Sequence, residues 1–444
     1  MSTPTKRIAF HTLGCKLNFS ESSTIKRDFI KRGYETVHYK DTADYYVINT
    51  CSVTENADKE ARKLIRQAKR TNPLSTVAVI GCYAQLKPNE IAEIDGVDLV
   101  LGTNDKFNIL NHLETHHRDN EKKVIHTKVN YDKKFVPSFS INERTRSYLK
   151  IQDGCDYTCS FCTIPLARGK SRSETIYNTV RIAKNIARSD SREIVLTGVN
   201  IGDFGKDSKE TLFDLVQQLD LLEDIDRFRI SSIEPNLLTN DIIEFSSTSK
   251  RFMPHFHIPL QSGSDKILSK MRRRYTADLF MDRVLKIKNK LPHASIGVDV
   301  IAGFPTETDD DFLTTYNFIN SLDISYLHVF TYSERLNTDA ITYEDIVPKA
   351  TRAKRSKMLH ILSSKKNRYF NDQFINQIRP VLFESIKNGQ LIGHTDNYIE
   401  VRSDLNPQLI NTIQNVKLYK NFVEYVEGII HLFNFIWDKI PSHS

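Results

Sequence analysis

The chain reads as an α/β protein in three parts: an N-terminal domain built on a parallel sheet, a central open partial (β/α)6 barrel, and a small all-β module near the C-terminal end. Three observations predict this. From residue 6 to about 110, short apolar runs alternate with helix-like stretches. From 147 to about 335, six strand-like runs do the same. Beyond Ile378 the β-type runs follow one another with only polar turns between them.

In the first part the runs Ile8–Leu13, Tyr45–Ile48, Val77–Ile80 and Val97–Leu101 are short and bounded by turn signals, as strands are. Between the first two lies a helical pattern with Ile25, Phe29 and Ile30 on one face. Between the second and third lies another, DKEARKLIRQAKR, with a strongly basic outer face. Cys15, Cys51 and Cys82 each end one of these runs, 36 and 31 residues apart, the length of one β-α-β unit. Strands in such units are parallel and their carboxyl ends share one rim, so the fold itself gathers the three cysteines. This domain is placed at 5–112. Residues 113–146 are polar and rich in His and Lys; they read as a connection with a hairpin, and no chemistry is assigned to them.

The central domain, 147–347, carries the runs SYLKIQ, EIVLTGVNI, FRISSIE, HFHIPL, SIGVDVIAGF and YLHVFTYS, separated by amphipathic patterns such as LFDLVQQLDLL. Six units are too few for a closed eight-stranded barrel, so an open one is expected. Cys155, Cys159 and Cys162 form a C-x3-C-x2-C cluster just after the first run, on the loop where such barrels do chemistry. Residues 348–376 read as a long basic helix and linker, and 377–432 as the β module, with the runs PVLFESI, YIEVR, VKLYK and EYVEGII.

Composition bounds the setting. With 39% hydrophobic and 26% charged residues, the chain is an ordinary globular protein with ample core. No apolar stretch reaches the ~18 to 20 residues of a membrane helix. The opening MSTPTKRIAF has no apolar run of signal-peptide length, so a reducing, cytoplasmic setting is expected. The net charge of +7 suits an anionic partner such as RNA.

All six cysteines fall into the two triads. Disulfides do not suit a reducing compartment. Structural zinc normally takes four closed ligands, and no histidine between His126 and His255 completes the compact set. Three thiolates suit an iron–sulfur cluster that leaves one iron open, with zinc or plain buried thiols as the alternatives. An open iron can chelate an amine and a carboxylate together, and S-adenosylmethionine carries both on its methionyl end. Reductive cleavage of its sulfonium yields a carbon radical that abstracts unactivated hydrogens. C-x3-C-x2-C with Phe161 before the last cysteine is the signature of the radical S-adenosylmethionine superfamily.

The resemblance goes further. TLGCKLN, NTCSVTENAD, VIGCYAQ, KIQDGCDYTCSFCTIPLARGKSRS, LTGVNIGDFG, SSIEP, HIPLQSGSDKIL, VDVIAGFPTET and HVFTYSER together resemble the methylthiotransferases over almost the whole chain. That resemblance implies a TRAM-type RNA-binding module at the C-terminal end and two [4Fe-4S] clusters, the second held by Cys15, Cys51 and Cys82 and supplying sulfur. It also implies two roles for S-adenosylmethionine, as methyl donor and as radical source. TLGCKLN and NTCSVTENAD are most similar to the branch acting on N6-threonylcarbamoyladenosine beside the tRNA anticodon. The segment after Tyr332 reads SERLNTDA where many relatives carry Pro-Gly after the Arg, so no role is assigned to residues 336–338.

By the same resemblance Gly198 and Asn200 (second strand end), Ser232 and Glu234 (third), His257, Gln261 and Ser262 (fourth), and Asp299 and Gly303 (fifth) line the S-adenosylmethionine pocket. Some of these are equally read as strand caps or helix starts; Ser264 before DKILSKM reads as an N-cap. Arg168 and Arg172 follow the cluster loop and are expected to grip a cofactor carboxylate or a substrate group. Lys270 and Arg272–Arg274 form a basic run that either tracks tRNA phosphates or is a solvated face. The basic helix at 349–369 with the TRAM module is the stronger RNA surface. The implied partners are tRNA, a reducing electron donor of flavodoxin or ferredoxin type and a sulfur donor, with no membrane. Two rivals keep the chemistry and change the substrate, to isopentenyladenosine in tRNA or a ribosomal-protein aspartate. A third is a non-catalytic, metal-dependent RNA-binding protein.

Overall fold

The structure is a computed structural model describing residues 5–51, 55–119, 123–125, 129 and 134–431. Residues 52–54 of the segment NTCSVTENAD, parts of the predicted connection and residue 432 lie outside the described residues.

Strands β1 (Arg7–Thr12), β2 (Glu35–Val37), β3 (Tyr45–Thr50), β4 (Thr76–Gly81), β5 (Leu99–Leu101) and β6 (Lys123–Ile125) form one sheet in the order β2-β1-β3-β4-β5-β6. Every pairing in it is parallel. Alternate residues feed two cores. Ala9, Tyr46, Ile48, Val77 and Val79 pack with Leu64, Ile65 and Ala68 of the helix Glu55–Thr71. Ile8, Tyr45, Val47, Ala78 and Ile80 pack with Ile25 and Phe29 of the helix Lys16–Lys31. A sheet covered on both faces has no polar side, which is why its strands read as continuous apolar runs. Ile30, expected on the buried face, is 49% exposed. The connection holds a sixth parallel strand, β6, and ends in an antiparallel pair of β7 (Ser138–Phe139) with β8 (Arg146–Lys150).

After β8 come β9 (Gln152–Asp153) and β10 (Arg172–Ser173), a small antiparallel pair that brackets the compact cysteines. Next come β11 (Glu193–Thr197), β12 (Arg227–Ile230), β13 (His255–Gln261), β14 (Ser295–Ala302) and β15 (Tyr326–Thr331). β8, β11 and β12 pair in parallel, as do β13, β14 and β15. Isolated parallel bridges Phe228↔Phe252 and Ser232↔His257 join the two sets, giving six parallel strands around an open barrel. Thr175, Thr211, Thr239, Ser264, Thr276 and Thr308 cap the outer helices, each accepting the backbone N–H three residues on. These caps fix where each strand's loop ends and its helix begins.

The helix Lys349–Asp372 packs along β15 and turns two of its arginines inward. Arg352 is buried on Glu334 at 2.6 Å, and Arg355 on Glu307 at 2.6 Å. Lys349, Lys354, Lys357, Lys365 and Arg368 remain exposed. Beyond it β16 (Ile378–Lys387), β17 (Gln390–Thr395), β18 (Glu400–Ser403), β19 (Ile413–Asn421) and β20 (Val426–Ile430) close into a small barrel, ordered β16-β17-β18-β20-β19. It docks under the amino-terminal ends of the central strands: Arg146 meets Glu384 at 2.8 Å, and Arg227 donates to the Pro380 carbonyl at 2.8 Å. The cysteine loop lies at the carboxyl end of β8, so the small barrel occupies the other rim. Among the described residues no helix is long and apolar enough to cross a membrane.

Candidate active site

The compact triad is held by its own backbone. Gly154 sits at φ +72, and a Cβ there would lie 2.0 Å from the Lys170 carbonyl oxygen, so only glycine permits the close return of the chain. Each sulfur takes an N–H: Tyr157 N to Cys155 Sγ at 3.4 Å, Ile164 N to Cys162 Sγ at 3.4 Å, and Arg273 Nη1 to Cys159 Sγ at 3.2 Å. Burial pushes the Cys155 and Cys162 thiols up to about 12, so loading a metal here must expel protons. Phe161 packs edge-on against Phe304, 6.2 Å between centroids, and pins the loop to the barrel.

Arg273 was hidden in the basic run. It also ion-pairs with Glu234, linking the end of the third strand to Cys159. The neighbours join the same cage: Arg272 pairs with Asp339, Arg274 stacks over Tyr157 at 4.0 Å, and Lys270 lies 5.8 Å over Tyr343. Arg273 alone is turned inward into the cluster loop's surroundings, while Lys270, Arg272 and Arg274 stay exposed beside it.

A cavity opens beside Cys162, walled by Phe161, Ile301, Phe330 and Tyr332 and carrying the polar groups of Gln261, Asp299 and Arg335. Gln261 takes a left-handed φ of 64° at the end of β13. Asp299 accepts from His257 Nε2 at 2.8 Å and faces His328 Nδ1 at 3.3 Å. Burial alone would raise the Asp299 carboxyl, but these imidazole contacts outweigh it and hold it below the usual range. His257 lies inside β13, not at its end, and Ser232 bridges to it.

Other expected pocket residues serve the frame. Ser262 bonds Thr315 at 3.0 Å and the Ser264 N–H at 3.2 Å, shaping a turn. A Cβ on Gly198 would stand 2.9 Å from the Gln152 carbonyl, and one on Gly303 2.4 Å from Arg352. The Asn200 amide nitrogen donates to Asp203 at 2.9 Å, while its Oδ1 is buried without a partner among the described residues.

The second triad lies on β1, β3 and β4, which are adjacent in the sheet. Cys15 precedes the helix Lys16–Lys31, Cys51 follows β3, and Cys82 opens the helix Cys82–Leu86. A Cβ on Gly14 would sit 2.8 Å from Cys51 Sγ, so the Cys15 loop rests on Cys51. Gly81, at φ +101, allows the Cys82 turn. The polar residues of the motifs tie the three loops together. Asn18 Nδ2 donates to the Leu13 and Thr50 carbonyls at 3.0 and 3.1 Å, Asn49 Nδ2 to the Asn18 carbonyl at 3.1 Å, and Thr50 Oγ1 to the Ile80 carbonyl at 2.6 Å.

The two triads share a buried ionic bridge. The helix Ile164–Arg168 leaves Cys162 and ends against the N-terminal domain, where Thr103 Oγ1 donates to the Ala167 carbonyl at 2.7 Å. Arg168 is 2% exposed. It donates to Glu21 (3.1 Å), Asp153 (2.9 Å) and Asn18 Oδ1 (2.7 Å). Glu21 also meets Lys106 at 2.6 Å and Lys150 at 3.2 Å, and Asp153 meets Arg172 at 3.0 Å. Burial opposes the charge on Arg168, but Cys82, Glu21 and Asp153 hold it protonated. Arg168 is therefore committed to joining the domains and is not free for a cofactor carboxylate. Arg172 instead donates to the Arg168 and Lys170 carbonyls and to Asp153, braces the cluster loop within the central domain, and keeps Nε without an acceptor among the described residues. The network's four cations outnumber its two carboxylates, and the surplus positive charge lies beside Cys15 and Cys82.

Comparison with known proteins agrees with this architecture. Residues 7–102 match the uncharacterized protein family UPF0004, and 149–319 match the radical SAM superfamily. The chain is 39% identical to the threonylcarbamoyladenosine tRNA methylthiotransferase MtaB of Bacillus subtilis, with 98% of each covered. It is 38% identical to the protein of that name from Aquifex aeolicus, over 90% of this chain and 97% of the other. Among solved structures, the radical S-adenosylmethionine methyltransferase TsrM from Kitasatospora setae superposes with a TM-score of 0.56 at 13% identity, covering 76% of this chain and 77% of that one; this likeness is one of fold. At these identities over nearly full lengths, the chain belongs to the threonylcarbamoyladenosine tRNA methylthiotransferase family within the radical S-adenosylmethionine superfamily.

Proposed function

We propose that the chain adds a methylthio group to C2 of N6-threonylcarbamoyladenosine beside the tRNA anticodon, using one cluster on Cys155, Cys159 and Cys162 and a second on Cys15, Cys51 and Cys82. The observation that carries the reading is two three-cysteine sets, each at the carboxyl rim of its own parallel sheet, joined through Arg168. The donor chemistry fits. Three thiols leave one iron of a cubane open, each compact-triad sulfur is met by an N–H donor, and the buried cation surplus complements a net anionic cluster. When bound, the compact-triad cluster supplies the electron that cleaves S-adenosylmethionine, and the second supplies the sulfur.

The residues of the chain position and exclude. Phe161, Ile301 and Phe330 wall the cavity against water beside Cys162, and Gln261 and Asp299 give it polar points of contact. The paired imidazoles keep Asp299 a fixed acceptor. Arg273 and Glu234 hold Cys159 from the barrel side.

Domains at 5–112, 147–347 and 377–432 are the working units of this proposal, with the closed C-terminal barrel acting as a TRAM-type RNA module. Its place under the far rim implies that tRNA is gripped away from the chemistry while the anticodon loop reaches the cavity. The reading further assigns the enzyme to the cytoplasm, with a flavodoxin- or ferredoxin-type reductant and a separate sulfur donor.

Mass spectrometry of digested tRNA from cells with and without the gene tests it. The methylthio form of threonylcarbamoyladenosine is expected to vanish while its precursor accumulates. An unchanged level, or loss of methylthio-isopentenyladenosine instead, overturns the substrate assignment.

A further inference from the structure

Arg335 is a buried cation with an unused edge. It follows β15 and shares the cavity wall with Cys162. Its side chain is 11% exposed. Its one ionic contact among the described residues is Nη1 to Asp58 Oδ2 at 3.3 Å, on the helix Glu55–Thr71. Nε and Nη2 are shielded from solvent and have no acceptor among the described residues. A buried donor without an acceptor destabilises the folded state, so the fold keeps this edge against its own stability. The acidic residue among those lining the cavity, Asp299, is already taken by His257 and His328, and the second oxygen of Asp58, Oδ1, makes no hydrogen bond among the described residues.

The same structure shows what that edge accepts. Arg229 grips Glu193 through Nε and Nη2, both at 3.0 Å, and Arg379 grips Asp396 through the same pair at 3.1 and 2.6 Å. In both cases the fork formed by Nε and Nη2 takes the two oxygens of one carboxylate. Arg335 keeps that fork unpaired, shielded behind the wall of a cavity whose Phe330 and Tyr332 rings provide a surface for a flat base.

We infer that Arg335 is the substrate's carboxylate anchor, taking the threonyl carboxylate of the modified adenosine through Nε and Nη2. The inference rests on the proposed substrate and adds the group that recognises it. Because both nitrogens are closed to water, the guanidinium turns partly off Asp58 to admit the carboxylate. Arg335 thereby sets both affinity and choice of nucleoside, since an isopentenyl group has no anion to offer. The residue acts on binding and orientation, not on the radical step.

The test uses the reconstituted full chain and two tRNAs, one carrying threonylcarbamoyladenosine and one with its carboxylate converted to a carboxamide, reading product formation and 5′-deoxyadenosine together. The wild-type chain is expected to show a KM ~10- to 100-fold higher on the carboxamide, the size of a lost charge-assisted pair. Arg335→Gln should show that higher KM on the natural tRNA and no further rise on the carboxamide. Arg335→Lys, which keeps the charge without the fork, should fall between. Asp58→Asn should still distinguish the two tRNAs. Three results overturn the inference: equal losses for Arg335→Gln on both tRNAs, which would assign Arg335 to a phosphate; no discrimination by the wild type; or Asp58→Asn reproducing Arg335→Gln throughout, which would leave only a domain-joining ion pair. If Arg335→Gln fails to fold, the Arg335→Lys and Asp58→Asn comparison decides alone. A wild type that leaves threonylcarbamoyladenosine unmodified fails earlier, at the functional reading itself.

Discussion

Glu21→Gln isolates the bridge between the two cysteine triads. Glu21 is fully buried and meets three cations: Lys106 at 2.6 Å, Arg168 at 3.1 Å and Lys150 at 3.2 Å. Burial alone would raise its carboxyl, but Arg168, Lys106 and Lys150 together hold it well below the usual carboxylate range. Glutamine keeps the shape and removes the charge, leaving Asp153 as the carboxylate for the whole network. Breaking a buried charge set from one side costs about 3–5 kcal/mol, because the partners stay behind uncompensated. At roughly 2–4 °C per kcal/mol for domains of this size, calorimetry should show the first transition falling by about 6–20 °C. The control is Asp226→Asn, which removes an exposed pair with Arg192 (side chains 51% and 44% exposed) and should change stability by less than ~1 kcal/mol. Equal small shifts in the two variants would refute the claim that the bridge holds the domains together.

Three further outcomes follow from the same geometry. Gly14→Ala places a Cβ 2.4 Å from Cys51 Cβ at a φ of +92, so the second triad should lose its cluster; iron content should drop from about eight to about four atoms per chain, and an unchanged content would contradict the packing. Arg273→Gln removes the donor to Cys159 and leaves Glu234 unpaired, so the compact cluster's reduction potential should fall and cleavage of S-adenosylmethionine should slow ~10- to 100-fold; a wild-type potential would show the contact to be inert. Burial opposes the Glu193 carboxylate, but Arg229, Arg146 and Arg227 bring it from 4.5 down to about 2. A depressed carboxyl stabilises the fold above 4.5 and loses that stabilisation as pH falls toward 2. The shift is worth on the order of 3 kcal/mol at ~1.4 kcal/mol per pH unit. Denaturant titrations at pH 5 and pH 3 should show a smaller loss in Glu193→Gln than in the wild type, the remainder coming from other depressed carboxyls such as Glu21 and Asp299; equal losses would show that Glu193 contributes nothing.

The parallel β-α architecture and both triads were legible because such units leave a plain trace: apolar runs of strand length separated by helical stretches, three of the N-terminal ones ending at a cysteine; the short edge strands β2 and β6 left no such trace. The motif residues Asn18, Asn49 and Thr50 were quoted without a role, and the structure gives them one in tying three loops. What stayed hidden has physical causes. Glu21, Lys106 and Lys150 are single charges among ordinary neighbours, and nothing local separates a buried charge from a solvated one; the one clue was Lys150, a lysine inside the strand-like run SYLKIQ. Arg273 sat in a run that resembles a surface patch. Arg272 takes a left-handed φ of 58° after the helix Asp265–Lys270, which reverses the chain and sends Arg273 inward, and no basic run announces such a turn. Arg352 and Arg355 mislead likewise, since a helix rich in Lys and Arg does not show which members face a carboxylate. Asn337 explains how SERLNTDA departs from Pro-Gly: it adopts φ 65°, which asparagine tolerates better than most residues.

The most direct measurement is anaerobic turnover of the reconstituted chain with tRNA bearing threonylcarbamoyladenosine, quantifying 5′-deoxyadenosine and methylthio nucleoside in the same sample for the wild type, Cys159→Ala and Cys51→Ala. Divided labour between the triads predicts both products from the wild type, neither from Cys159→Ala, and 5′-deoxyadenosine without the methylthio nucleoside from Cys51→Ala. Full methylthio product from Cys51→Ala under sulfide-free conditions would contradict it.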